Sequence, residues 1–239
     1  VCFSLGATAQ STAFGGDPAV SLENNATPTW SEAIAAFQIL ADDHDDATLI
    51  QVGKSDVGRP IHAFVFSPGA DQVTSLETLE SFMASSDERM TMLVNNAIHP
   101  GEPCGVDASI GWMREVLSNR SLKKAYLNKM DVIIIPMYNI GGALNRNCCS
   151  RTNQDGPEAY GFRGNSRNLD LNRDFIKMDS RNAEAFDQLF HAVKPDVFVD
   201  THTTNGADYP YRMTLITTQV DKAGPVIGPF LTKVFEPKL

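Results

Sequence analysis

Three short apolar runs, "MTMLV" at 90–94, "VIII" at 132–135 and "VFV" at 197–199, lie between stretches with apolar residues spaced three and four apart. Runs this short and this uniformly apolar read as strands that need cover on both faces, unlike strands with one wet face, which alternate. The intervening stretches supply that cover as amphipathic helices: "WSEAIAAFQILADDH" from Trp30, "PCGVDASIGWMREVLSN" from Pro103 and "SRNAEAFDQLFHAVKPD" from Ser180. The alternation predicts an α/β fold, a mixed, largely parallel sheet flanked by helices on both faces.

Local signals refine this. Ser31 is available to cap the first helix, with Glu32 just inside it. "TLIQVGKSDVGRPIHAFVFSP" offers two β-rich runs, 48–52 and 61–67, around a glycine-containing turn, which suits an antiparallel pair. A polar helix is expected near 74–85 and a further strand in "YPYRMTLITT". The segment 139–169 is rich in Asn, Gly and Arg with little periodicity, and a loop of that length in a compact domain usually serves a function or moves.

With 239 residues, 42% apolar, the chain suits one large domain. Twenty Lys and Arg against 29 Asp and Glu give a net charge of -9, without the dense basic run that nucleic acid requires. No apolar run is long enough to cross a bilayer. The opening "VCFSLGATAQSTAFGG" reads as the end of an export signal, with Ala7-Thr8-Ala9 suited to cleavage before Gln10. Residues 1–28 are therefore expected to be a signal remnant and flexible leader, 29–239 the globular domain, and the protein exported to the periplasm or beyond. Cys148 and Cys149 are adjacent and poorly placed to bridge each other, so no disulfide framework is expected.

In sheets of this kind, sites collect where strands end at their carboxyl side. "MTMLVNNAIH" and "DVFVDTH" each deliver a histidine there, His99 and His202. Two imidazoles and the carboxylate of Glu102 form a donor set suited to one zinc ion with a position left for water, and the chemistry implied is hydrolysis. His44, His62 and His191 are read as surface or structural residues. A second motif, "NLDLNRDF" at 168–175, is expected to be a short extended segment with Asp170 and Asn172 on one side and Arg173 on the other unless a bend intervenes. An Asn-Arg pair of this kind can bind a carboxylate.

"HPGE", "DLNR" and "DTH", in that order, resemble the zinc metallocarboxypeptidases of the M14 kind, and the likeness runs through most of the chain from about Trp30, including "GKSDVGRPI". The resemblance implies the metallocarboxypeptidase fold and a peptide or protein C-terminus as substrate. It makes His99, Glu102 and His202 ligands of a single Zn2+. Asn172 and Arg173 would hold the terminal carboxylate, and Asp170 would fix His99. A further family arginine polarises the scissile carbonyl. Arg163 has the matching spacing to Asn172, and Arg151 in "SRTNQDGP" competes for that role or joins the substrate-binding set. The family's general-base glutamate and closing tyrosine lie well beyond the third ligand. Glu236 reads as a surface residue and Tyr209 and Tyr211 as strand residues, so the base is expected beyond Leu239 in a C-terminally truncated domain.

Two alternatives stand beside the exported carboxypeptidase. The deacylases of succinylglutamate and aspartate share the H-x-x-E and the later histidine, which implies an N-acyl-amino-acid amidohydrolase. A zinc-binding pseudopeptidase would keep the metal and the clamp and lack the base.

Overall fold

The computed structural model describes residues 25–85, 89–206 and 217–238, in two compact units that divide between Gly206 and Ala207. Most of the expected leader lies outside the described residues, as do 209–216 of the expected last strand, Tyr209 and Tyr211 among them.

The first unit runs α1 (Trp30–Asp42), β1 (Ala47–Lys54), β2 (Pro60–Phe66), α2 (Leu76–Ser85), β3 (Met90–Asn95), α3 (Cys104–Ser118), α4 (Arg120–Leu127), β4 (Met130–Ile135), α5 (Ile140–Leu144), α6 (Arg181–Val193) and β5 (Val197–Asp200). Its sheet has the order β1-β2-β4-β3-β5. β3 pairs in parallel with β4 and β5, while β2 is antiparallel to β1 and β4. This is a mixed sheet, as the apolar runs predict, with two parallel and two antiparallel pairings rather than mostly parallel ones.

Successive strand residues point to opposite faces, so each central strand feeds two cores. Phe64, Phe66, Val94, Val132 and Ile134 meet Phe37 of α1 and Ile110 and Met113 of α3 on one face. Ala63, Val65, Leu93, Ile133 and Ile135 meet Leu79 of α2 and Leu189 of α6 on the other. β4 is apolar without alternation because both its faces are dry. β5 departs from the expectation of a buried strand. Among the described residues it stands at the sheet edge, with Phe198 39% and Val199 37% exposed.

Three local expectations are corrected. Thr29, not Ser31, caps α1: its side chain accepts from the Glu32 N–H while the Glu32 carboxylate accepts from the Thr29 N–H, a reciprocal capping box. The "NLDLNRDF" segment is not extended, because Leu171–Arg173 forms a 3₁₀ turn opened by Asp170, whose carboxylate accepts from the Asn172 N–H at 3.0 Å. Cys148 and Cys149 are bridged to each other, Cys149 taking a φ of 74° that turns the chain between them.

His62 is a structural residue. It packs with its ring centroid 6.5 Å from that of Trp30, which Arg59 covers from 5.6 Å, and burial pushes its pKa down. In the second unit, α7 (Val220–Phe230) kinks at Gly224 ahead of Pro225. Glu236 follows in an exposed turn and accepts a 2.6 Å bond from the Thr217 hydroxyl.

Asp107, in the first turn of α3, yields a pH prediction. Burial pushes its pKa up to about 6, against the hydrogen bond donated by the Thr27 hydroxyl at 2.7 Å. A folded-state value above the unfolded one means that the native state holds the proton more tightly. Its stabilising contribution is therefore complete at acid pH and lost as pH rises towards 6. Asp107→Asn is expected to be more stable than the parent by about 1–2 kcal/mol at pH 8 and nearly equal at pH 4. Thermal melts at the two pH values check this, and equal melting shifts at both would refute it.

Candidate metal centre

The site is built at the carboxyl ends of β3 and β5. After Asn95 the chain keeps its pairing with the β4 side, the Tyr138 N–H donating to the Asn96 carbonyl at 2.9 Å. Ala97, with a φ of 55°, turns the chain there, and Ile98 and His99 follow beyond the end of the strand. A tight turn follows, closed by the Glu102 N–H on the His99 carbonyl at 2.9 Å, so both side chains face the same way. Gly101 serves a close approach here: a Cβ on it would stand 2.7 Å from Cδ of Arg151 and 3.1 Å from the Gly161 carbonyl oxygen. Parallel pairing sets Asn95 opposite Asp200, and His202 emerges beside His99. The two ring centroids are 5.0 Å apart.

His99 Nδ1 lies 3.3 Å from Glu102 Oε1, and His202 Nδ1 lies 2.9 Å from Glu102 Oε2. One donor atom from each of the three residues falls within 4.8 Å of the others. The opposite ring nitrogens meet carboxylates: His99 Nε2 meets Asp170 Oδ1 at 3.1 Å, and His202 Nε2 meets Asp200 Oδ2 at 2.9 Å. A carboxylate on Nε2 keeps the proton there and leaves Nδ1 for a metal, which is how metal-bound imidazoles are usually held. The donor set fits zinc: two imidazoles and one carboxylate, close enough to share one ion.

The electrostatics agree with a cation site. Burial works to raise the Glu102 pKa, yet bonds from His202, His99 and the Thr203 N–H, with the charge of Arg151, hold it well below the usual carboxylate range. His202 is pushed up to about 9, first by Asp200 and then by Glu102. The cage therefore attracts positive charge, and a proton between His202 and Glu102 occupies the place a divalent ion would compete for.

Both candidate arginines reach this cage. Arg151 is fully engaged: Nη1 with Glu102 at 2.8 Å, Nε with Gln154 at 2.7 Å, and Nη2 with the Thr204 carbonyl and Asn205 at 3.2 Å each. Arg163 gives Nε and Nη2 to Asp170 at 3.0 and 2.9 Å, and its Nη1 stands 3.3 Å from His99 Nδ1. Its side chain is 40% exposed, against 12% for Arg151. Asp174, next to Arg173 in the chain, accepts from the N–H groups of Asp179 and Ser180 before α6. Arg173 is exposed, with no carboxylate paired to it among the described residues.

A zinc carboxypeptidase family profile matches residues 34–212, about three quarters of the chain. The chain belongs to the zinc carboxypeptidase family. Carboxypeptidase 2 of Trichophyton tonsurans is 24% identical over 117 residues, 49% of this chain and 19% of that protein. Carboxypeptidase 2 of Trichophyton rubrum is 23% identical over 149 residues, 62% of this chain and 23% of its own. The chain thus spans about a fifth of the length of these curated relatives. Two solved structures share the fold. Carboxypeptidase A from Helicoverpa armigera superposes with a TM-score of 0.56 at 16% identity, over 83% of this chain and 50% of its own. A metallo-carboxypeptidase from Burkholderia cenocepacia does so with 0.54 at 17% identity, over 73% and 41%.

Several residues that shape this carboxypeptidase-family site escape a reading of motifs. Asp200 had a usable signal, since D-x-H sets a carboxylate two residues from a candidate ligand ring, within reach of a bond. The buried asparagines had none. The amide of Asn139 donates to the carbonyls of Ile98 and Arg163 at 3.2 and 2.9 Å and accepts from the Gly142 N–H at 2.9 Å, tying the His99 loop to the Arg163 loop. Asn139→Ala removes three bonds from a fully buried group and is expected to cost about 3 kcal/mol, read as a lowered urea midpoint at unchanged m-value. A loss under about 1 kcal/mol would show that the three bonds are not what joins the loops.

Proposed function

We propose that the full-length protein is an exported, zinc-dependent carboxypeptidase that hydrolyses the C-terminal peptide bond of peptides or proteins. The observation that carries this reading is the convergence of His99, Glu102 and His202, each imidazole backed by a carboxylate, in a chain of the zinc carboxypeptidase family. When bound, zinc supplies Lewis acidity, which polarises a carbonyl and lowers the pKa of water.

Residues of this chain bind and orient the substrate and stabilise the developing charge, while the proton-transferring glutamate is the one expected beyond Leu239. Arg163 stabilises the negative charge that develops on the carbonyl oxygen, because its Nη1 faces the centre while Asp170 holds its other two nitrogens. Arg151, engaged at every nitrogen, shapes the Glu102 wall rather than meeting substrate. Asn172 and Arg173 receive the substrate's terminal carboxylate at the bend that Asp170 starts, and this fixes which bond lies at the centre. Asp170 thereby links the His99 ring, the Arg163 guanidinium and the Asn172 backbone.

Full-length protein assayed on a peptide and on its C-terminal amide tests the proposal. Turnover of the free acid alone, lost with a chelator and restored by zinc, is expected. Activity confined to N-acyl amino acids would replace it with the amidohydrolase, and zinc binding without turnover would replace it with the pseudopeptidase. Export predicts a mature N-terminus at Gln10, which mass spectrometry of the native protein reads directly.

A further inference from the structure

We propose that Asp200, itself held by the buried Asn95, is a positioning residue that orients His202 for the metal and sets much of the zinc affinity; this rests on the zinc-site reading above. The two candidate ligand histidines are not held alike. The His99 side chain is 3% exposed, whereas that of His202, just past β5, is 34% exposed. Beyond the end of β5 the ring stands beside that of His99, centroids 5.0 Å apart, and hydrogen bonds at both nitrogens fix how it is turned. One of these runs from Nε2 to Asp200 at 2.9 Å.

Asp200 is positioned in turn. Its other oxygen accepts from the Asn95 amide at 3.0 Å, and Asn95 is its register partner across β3 and β5. Asn95 is 0% exposed, and its side-chain oxygen has no hydrogen-bond partner among the described residues. A buried amide is costly unless it serves a purpose, and its one side-chain bond is the one to Asp200. Just beyond, the Thr201 N–H and hydroxyl bond the Asn95 carbonyl at 3.0 and 3.2 Å, and the hydroxyl also meets Asn96 at 3.0 Å. The end of β3 thus pins the residues on either side of the Asp200–Thr201 link.

The contrast with Asp170 sharpens the role. Asp170 is neutralised by the cationic Arg163, which the proposed mechanism uses on substrate. Apart from His202, among the described residues Asp200 is hydrogen-bonded by the neutral Asn95 amide and not by a cation, so its carboxylate is turned to the imidazole without a competing guanidinium.

The test measures zinc affinity of the full-length protein by competition with a chromophoric chelator, together with the visible spectrum of the cobalt-substituted form. Asp200→Ala is expected to weaken zinc by about tenfold to hundredfold and to alter the cobalt spectrum, with Asp200→Asn weakening it less. Asn95→Leu should weaken it by a smaller factor. The double variant should be no weaker than Asp200→Ala, because Asn95 acts through Asp200. Circular dichroism with chelator present confirms folding, and Asp200→Asn carries the test if Asp200→Ala does not fold. His202→Ala separates the two levels of the argument. If it binds zinc like the parent, the zinc-site reading fails. If it loses zinc while both Asp200 variants keep parental affinity, the site stands and this inference is overturned.

Discussion

Glu102→Gln is expected to abolish tight zinc binding and reduce peptidase activity to background. The carboxylate is 2% exposed and is the group that both imidazoles face through Nδ1. An amide cannot repeat this, since it carries no charge and turns two of its hydrogens towards donors that need an acceptor. A metal that binds only the folded state adds stability by mass action, about 4 kcal/mol at a thousandfold excess over its dissociation constant. For a domain of this size that is roughly 8–16 °C in melting temperature. The parent should show this gain on adding zinc, and Glu102→Gln should not. A variant that melts with the same zinc-dependent rise as the parent would remove Glu102 from the metal centre.

Arg163→Ala is expected to lower kcat by about a hundredfold to a thousandfold with little change in KM, the signature of a contact made mainly in the transition state. Arg173→Ala should instead raise KM and lose the preference for a free terminal carboxylate. Arg151→Ala should act chiefly through stability and metal affinity, because its side chain is only 12% exposed and it pairs with the buried Glu102 at 2.8 Å. Steady-state kinetics on a peptide series, with zinc content measured for each variant, separate the three. A large fall in kcat for Arg151→Ala at full zinc occupancy, with Arg163→Ala unaffected, would exchange the two roles.

Much of this architecture was legible in the chain itself. "VIII" has no polar position, so it needs two dry faces, and β4 has them. "HPGE" holds its two side chains within one tight turn, so their proximity is local. Where a rule of short range met a competitor, it failed. Ser31 and Thr29 are both good caps, and only the reciprocal bond with Glu32 chooses Thr29. The "DLNR" segment bends because Asp170 bonds the chain two residues on, a choice that extended spacing conceals. Adjacent cysteines bridge because Cys149 adopts an unusual backbone conformation.

The sequence by itself determined the α/β class and the short loop carrying His99 and Glu102, since these follow from periodicity and from the spacing within one turn. The tertiary structure alone decided that β5 pairs with β3, that Asp200 and Asn95 stand behind His202, and that Arg151 is the more buried arginine while Arg163 turns one nitrogen toward the metal centre. Those outcomes depend on which strand pairs with which, and pairing is settled by the burial of the whole sheet at once, which no short stretch of residues records.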